Sequence, residues 1–146
     1  MKRSGILASV TIAQAILESG YGRSALALEA NNLFCMKSQL SGNTWKSAWG
    51  GDTYAVRTGE YIGGQRVTVT GVFRSYNSIA ESIRDHSDYL TQAKNGTALR
   101  YKGVVGNKSY QQTIRLIKNG GYATAPTYVS TVISIIKKWN LTKYDK

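Results

Sequence analysis

The sequence predicts a mainly helical α+β domain with one β-hairpin set into it, and three observations carry that prediction. Apolar residues recur at helical spacing in several separate stretches, and a single block rich in β-branched and aromatic residues, 53–76, interrupts them around a Gly63-Gly64 turn signal. No internal repeat or low-complexity tract appears. With 146 residues, 42% of them hydrophobic, and one proline, residues 1–146 are expected to form one domain with a modest core.

The first helix is read across residues 9–18. Ile6, Val10, Ala13 and Leu17 make one stripe, and Ile12 and Ile16 widen it, so the helix is apolar around most of its circumference and belongs in the core. Gly20 can take the left-handed conformation that ends a helix, which leaves Glu18 at the end of a buried rod. Apolar walls and the negative end of the helix dipole both favour a protonated carboxyl there, the state a general acid requires. A lone Glu in a last turn is otherwise an ordinary surface charge.

Ser24 is placed to cap a short helix, 25–30, closed by Asn31-Asn32, with Glu29 read as solvated or structurally paired. Leu33, Phe34 and Met36 anchor the core before a polar stretch, 38–52, that holds Trp45 and Trp49; such loops carry function more often than stability. Residues 53–61 and 65–76 form the hairpin, and the loss of clean alternation near Gly71 predicts a bulge or bend there. Ser78 and Glu81 make a capping box that opens a helix over 79–93, with Ile79, Ile83, His86 or Ser87, and Leu90 as its face. His86 is read as a hydrogen-bonded core residue, and Asp85 and Asp88 as surface or internally paired. Ser109 opens a helix with Ile114 and Ile117 inside, stopped by Asn119-Gly120-Gly121. Thr127 caps a last one striped by Val129, Val132, Ile133, Ile136 and Trp139.

Nineteen Lys and Arg against eight Asp and Glu give a net charge of +11, which draws the chain to polyanions. The basic residues are scattered and form no nucleic-acid motif, which argues against a nucleic-acid partner. Cys35 is the only cysteine, so no intrachain disulfide exists; it is read as filling a small gap. Cys and His residues do not cluster at metal-ligand spacing, and neither a metal nor a cofactor is expected. No apolar run is long enough to span a bilayer, and the one after Met1 is too short for a signal peptide, so no membrane insertion is expected. A monomer is expected.

The segment Ala13-Gln14-Ala15-x-Leu17-Glu18-Ser19-Gly20-x-Gly22-x-Ser24 is followed by Asn31-Asn32-Leu33-Phe34, Thr58-x-Glu60-Tyr61 and Phe73-Arg74-x-Tyr76, then by Asp85-His86-Ser87-x-Tyr89-Leu90 and Gly121-Tyr122-Ala123-Thr124. In this order, over nearly the whole chain, they resemble the glucosaminidase domain of bacterial autolysins, glycoside hydrolase family 73. The resemblance implies a lysozyme-like helical domain whose hairpin lobe, about 53–76, flanks a sugar cleft. It implies that Glu18 is the catalytic acid, that Glu60 is the β-lobe carboxylate and that Tyr122 is a tyrosine assisting at the catalytic centre. Because that family usually supplies another helix before the acid, the chain is expected to be an excised domain whose export signal lies elsewhere, acting at the bacterial cell wall as a secreted or phage-borne protein.

Glycoside hydrolysis needs an acid for the leaving oxygen and support for positive charge at the anomeric carbon, usually from a second carboxylate. Once Glu29, Glu81, Asp85, Asp88 and Asp145 are set aside as structurally explained or badly placed, Glu18, Glu60 and Asp52 remain, with Asp52 in reserve. Glu60 has a competing role as an ion-pair partner of Arg66 or Arg57. Tyr21, Trp45, Trp49, Tyr61 and Tyr76 are candidate sugar-stacking faces, with Asp52 a further substrate contact. The expected activity is endo-β-N-acetylglucosaminidase cleavage of peptidoglycan strands, with attraction to anionic wall polymers. N-acetylmuramidase or lytic transglycosylase action is the near alternative, and a non-catalytic cationic wall-binding module the distant one.

Overall fold

The computed structural model describes residues 4–40 and 47–145. In chain order these form α1 (Ala8–Ser19), α2 (Ala25–Ala30), β1 (Thr53–Ile62), β2 (Gln65–Arg74), α3 (Ile79–Gln92), β3 (Lys94–Asn95), β4 (Ala98–Leu99), α4 (Tyr110–Asn119), α5 (Tyr128–Lys138) and a closing 3-10 turn, Leu141–Tyr144. The class is α+β, as expected.

The main core is helical. Ile6, just before α1, and Val10 and Ala13 within it pack with Ile114 and Ile117 of α4 and Val132 and Ile136 of α5. Burial of apolar surface at this density is the principal source of stability. No local side chain caps α1; instead Asp145, 136 residues away, accepts from the Ser9 amide at 2.7 Å and from its hydroxyl at 2.6 Å. A carboxylate there satisfies an orphan amide and complements the helix dipole.

β1 and β2 pair antiparallel without interruption from Thr53↔Arg74 to Ile62↔Gln65, through Val56↔Gly71, so the bulge expected at Gly71 does not occur. Val67, Val69, Gly71 and Phe73 alternate inward against exposed Thr68, Thr70 and Val72; Val72 simply faces solvent. Gly63 and Gly64 both have positive φ, 60° and 81°, the geometry a two-residue hairpin turn demands. Phe73 packs with Leu26 and Ala30, which seats the hairpin base on α2.

That base is fastened by polar groups. Arg74 and Asp85 form an ion pair at 2.8 Å with both side chains fully buried. Asp85 also accepts from the Tyr76 hydroxyl at 2.6 Å and the Ser47 hydroxyl at 2.5 Å, while Arg74 Nε donates to the Lys37 carbonyl at 3.0 Å and the Trp49 ring lies 4.4 Å from its guanidinium.

The network explains two differences from expectation. The buried face of α3 is Ser82, Asp85, His86, Tyr89 and Leu90, while Ile79 and Ile83 are exposed, because α3 turns its polar residues toward Arg74 and toward Leu33, whose amide donates to Ser82 Oγ at 3.1 Å. Tyr76 is buried in the same network. His86 is in the core as read, stacked on Phe34 at 3.7 Å, but neither ring nitrogen has a hydrogen-bond partner among the described residues. On α5, Thr127 makes no side-chain cap, and Trp139 is exposed.

Removing one partner of a buried pair strands the other's charge. Asp85→Ala is therefore expected to destabilise by about 3–5 kcal/mol, against at most about 1 kcal/mol for cutting the half-exposed Lys37–Glu60 pair, as read by chemical denaturation.

Candidate active site

α1 ends in three consecutive left-handed residues, Gly20, Tyr21 and Gly22, with φ of 57°, 61° and 78°. The amides of Gly20 and Tyr21 both donate to the Ile16 carbonyl; Ser19 Oγ donates to the Ala15 carbonyl at 2.5 Å and accepts from the Gly22 amide at 2.8 Å. The tight winding satisfies the last-turn groups and fixes where Glu18 points.

A second segment meets it there. Asn32, fully buried, donates to the carbonyls of Met36 and Arg74 at 3.0 and 2.9 Å and accepts from the Met36 amide at 3.0 Å. This loop holds Cys35 at φ 53° and lets its thiol donate to the Glu18 carbonyl at 3.1 Å. Cys35 packs against the Leu26, Ala30 and Phe73 cluster, consistent with the gap-filling role expected of it, and half-buried it also lines the cavity beside Glu18.

Glu18 opens onto a cavity of about 630 Å³. The helical side contributes Glu18, Cys35, Tyr122 and Tyr128; the hairpin contributes Glu60, Tyr61 and Arg66; Lys37 and Arg100 also line it. Burial lifts the Glu18 carboxyl to about 7, a shift the Cys35 thiol partly opposes by hydrogen bonding. Burial, with the neighbouring Glu18 charge, pushes the Cys35 thiol up to about 12, so it stays neutral. A carboxyl that keeps its proton to neutral pH can donate it.

Tyr122 sits within a ring cluster, 5.9 Å from His86, 6.5 Å from Tyr101 and 6.1 Å from Tyr128 by centroid. Its buried hydroxyl has no partner among the described residues, and burial holds its proton on well above the usual phenol range. Gly120 makes the approach feasible, since a Cβ there would lie 2.5 Å from the Tyr101 ring, and Gly121 takes φ 93°. One turn before Glu18, buried Gln14 donates to Tyr128 Oη at 2.7 Å.

Of the residues expected at a site, Glu18, Glu60, Tyr61 and Tyr122 come together. Glu60 is ion-paired, as its competing role required, but to Lys37 at 2.5 Å rather than to Arg66 or Arg57. The others fall elsewhere. Tyr21 is half-exposed against the edge of Trp139 and does not line the cavity. Trp49 covers Arg74 and donates from its indole to the Asp52 carbonyl at 2.7 Å; neither Trp49 nor Asp52 lines the cavity. Tyr76 spends its hydroxyl on Asp85. Trp45 lies outside the described residues. Sequence reasoning missed Tyr128, Lys37 and Arg100; for Tyr128 a signal existed in buried Gln14, and for the two cations none did.

Between pH 4.5 and about 7 the unfolded chain has released the Glu18 proton while the folded chain keeps it, so the burial costs stability increasingly across that window and fully above it. Glu18→Gln is expected to be more stable than the parent at pH 8, by about 1–3 kcal/mol, with the gain vanishing near pH 4. Denaturation curves at the two pH values check this, and equal stabilities at pH 8 would contradict it.

Comparison with known proteins adds three findings. The family model described as "Glucosaminidase: Mannosyl-glycoprotein endo-beta-N-acetylglucosaminidase" matches residues 1–141. The chain is 35% identical over 141 residues to the exo-glucosaminidase LytG of Bacillus subtilis, covering 97% of this chain and 47% of that protein, and 33% identical over 141 residues to the peptidoglycan hydrolase FlgJ of Vibrio parahaemolyticus, covering 94% and 42%. A crystal structure of an N-acetylmuramoyl-L-alanine amidase from Staphylococcus aureus superposes with a TM-score of 0.84 at 36% identity, over 99% of this chain and 39% of that one. The chain spans less than half the length of each of these proteins.

Proposed function

The chain belongs to the glucosaminidase family, and on that premise we propose that it is the catalytic part of a peptidoglycan hydrolase, an endo-β-N-acetylglucosaminidase that cuts the β-1,4 glycan strand after N-acetylglucosamine at the bacterial cell wall. The observation that carries this is a carboxyl raised to about 7 by burial, opening onto a cavity whose hairpin wall presents a second carboxylate.

In the proposed reaction Glu18 gives its proton to the glycosidic oxygen as the bond to the anomeric carbon breaks. Glu60 takes a proton from the water that attacks that carbon, and positive charge on the sugar passes through a state this carboxylate stabilises. Tyr61 contributes a ring face to the sugar. A second route is favoured by one feature, the buried hydroxyl of Tyr122, which has no partner among the described residues. There the substrate's own acetamido oxygen attacks the anomeric carbon, oriented by Tyr122, and configuration is retained.

Glu18→Gln is expected to lower turnover by about 10²-fold or more with the fold intact, and wild-type activity to fall as pH rises through about 7. If Glu60 is the base, Glu60→Gln loses far more turnover than Tyr122→Phe and the product is inverted; a mild Glu60→Gln effect with retention, read by NMR of the product anomer, moves the role to the acetamido route. Near-parental clearing of cell walls by folded Glu18→Gln would reject the acid assignment. Mass spectrometry of reduced digestion products identifies the sugar at the new reducing end, and muramic acid there would make the protein a muramidase.

The +11 charge supports attraction to anionic wall polymers. Binding to purified walls is expected to weaken sharply as salt shortens the Debye length to about 3 Å at 1 M. Binding indifferent to salt and to removal of teichoic acid would contradict it.

A further inference from the structure

The cavity is lined by three cations, Lys37, Arg66 and Arg100, against two carboxyl groups, Glu18 and Glu60, and neither Arg66 nor Arg100 takes part in an ion pair among the described residues. Glu60 is taken by Lys37, and burial moves Glu18 toward its neutral form. Arg100 lines the same cavity, half-buried, and neither ion pair among the described residues includes it. Its Nε is shut off from solvent without a hydrogen-bond partner among those residues.

Nor is Arg100 a loose surface chain. Its amide donates to the Ala93 carbonyl at 2.8 Å, and its own carbonyl lies 3.0 Å from where a Cβ on Gly120 would stand, so the backbone is clasped between the end of α3 and the end of α4. The guanidinium hydrogen-bonds the Tyr101 phenol, which donates onward to Tyr89 Oη at 3.0 Å. A guanidinium keeps its charge at any working pH and presents five donors in a planar fork. Half-buried, positioned and without a counter-ion among the described residues, it is arranged for an anion that a ligand brings.

We infer that Arg100 receives a carboxylate of the glycan substrate and so selects muramic-acid-bearing strands over uncharged ones. The inference rests on the hydrolase reading above and goes beyond it by naming the substrate group and its receptor. The carboxylate is either the lactyl group of the muramyl sugar or one carried by its peptide.

Wild type, Arg100→Ala and Arg100→Lys are compared on peptide-bearing strands, on strands stripped of peptide so that the lactyl carboxylates are free, and on stripped strands with those carboxylates converted to methylamides. For Arg100→Ala, kcat/KM is expected to fall about 10- to 100-fold on strands bearing the recognised carboxylate, mainly through KM, to stay within about threefold on the methylamides, and to recover in part in Arg100→Lys. Loss on stripped strands assigns the lactyl group; loss confined to peptide-bearing strands assigns the peptide. No loss on either, or an equal loss on all three, overturns the inference. Should Arg100→Ala fail to fold, Arg100→Lys decides: a loss confined to carboxylate-bearing strands supports the inference, and parental or uniformly reduced activity overturns it. Wild type that cuts none of the three overturns the hydrolase reading itself, whereas wild type that cuts all three with Arg100→Ala unchanged overturns only the role of Arg100.

Discussion

The buried ion pair between Arg74 and Asp85 decides how the hairpin meets the helices. Two full charges are withdrawn from water there, and Tyr76, Ser47 and the Lys37 carbonyl meet most of their remaining polar capacity, although Arg74 Nη2 is buried without a hydrogen-bond partner among the described residues. The pair joins the last residue of β2 to the middle of α3, and Asn32 bonds the carbonyl of the same Arg74, so hairpin, α3 and the loop before Lys37 converge on one point. A small relaxation there would shift Glu60 relative to Glu18. Phe73-Arg74-x-Tyr76 and Asp85-His86 thus belong to the scaffold of the cleft, with their polar groups turned inward from it.

Four non-glycine residues among those described take positive φ, and two of them adjoin the acid, the others being Asn31 and Asn140. Tyr21 and Cys35 are non-glycine residues with φ of 61° and 53°, flanking the acid in sequence and in space respectively. Each such residue costs of order 1 kcal/mol and persists only when neighbouring bonds hold it, here Ser19 to Gly22 and Asn32 to Met36. The same neighbourhood keeps a carboxyl desolvated and, among the described residues, a phenol unpartnered and a guanidinium without a counter-ion. Groups left in that condition weaken the folded state and are ready for a polar substrate.

Several of these features were legible in the residues. The apolar stripe of α1 and the Gly20 terminus placed Glu18 at the end of a core helix, and β-branched content around Gly63-Gly64 located the hairpin to within two residues. The aromatic candidates were not legible. Ring-bearing side chains suit a sugar face, a cation or a core equally well, so Tyr61 reaches the cavity while Tyr76, Trp49 and Tyr21 answer to Asp85, Arg74 and Trp139. The face of α3 is not legible for a related reason: periodicity counts apolar residues, and this helix buries Ser82, Asp85 and His86 because their partners lie on other elements.

What the sequence by itself determined is local: which segments are helices, where they stop, where the hairpin turns, and that Glu18 sits at a helix terminus, since these follow from periodicity, capping and glycine within a few residues of each position. What only the tertiary structure decided is every property that needs two distant segments at once. Asp145 caps α1 from the far end of the chain, Lys37 claims Glu60, Gln14 meets Tyr128, and Arg100 enters the cavity beside Tyr122. The raised affinity of Glu18 for its proton belongs to this second class, because it comes from burial, and the cavity beside Glu18 is walled by Phe34, Cys35 and Tyr122 from distant parts of the chain as well as by Leu17.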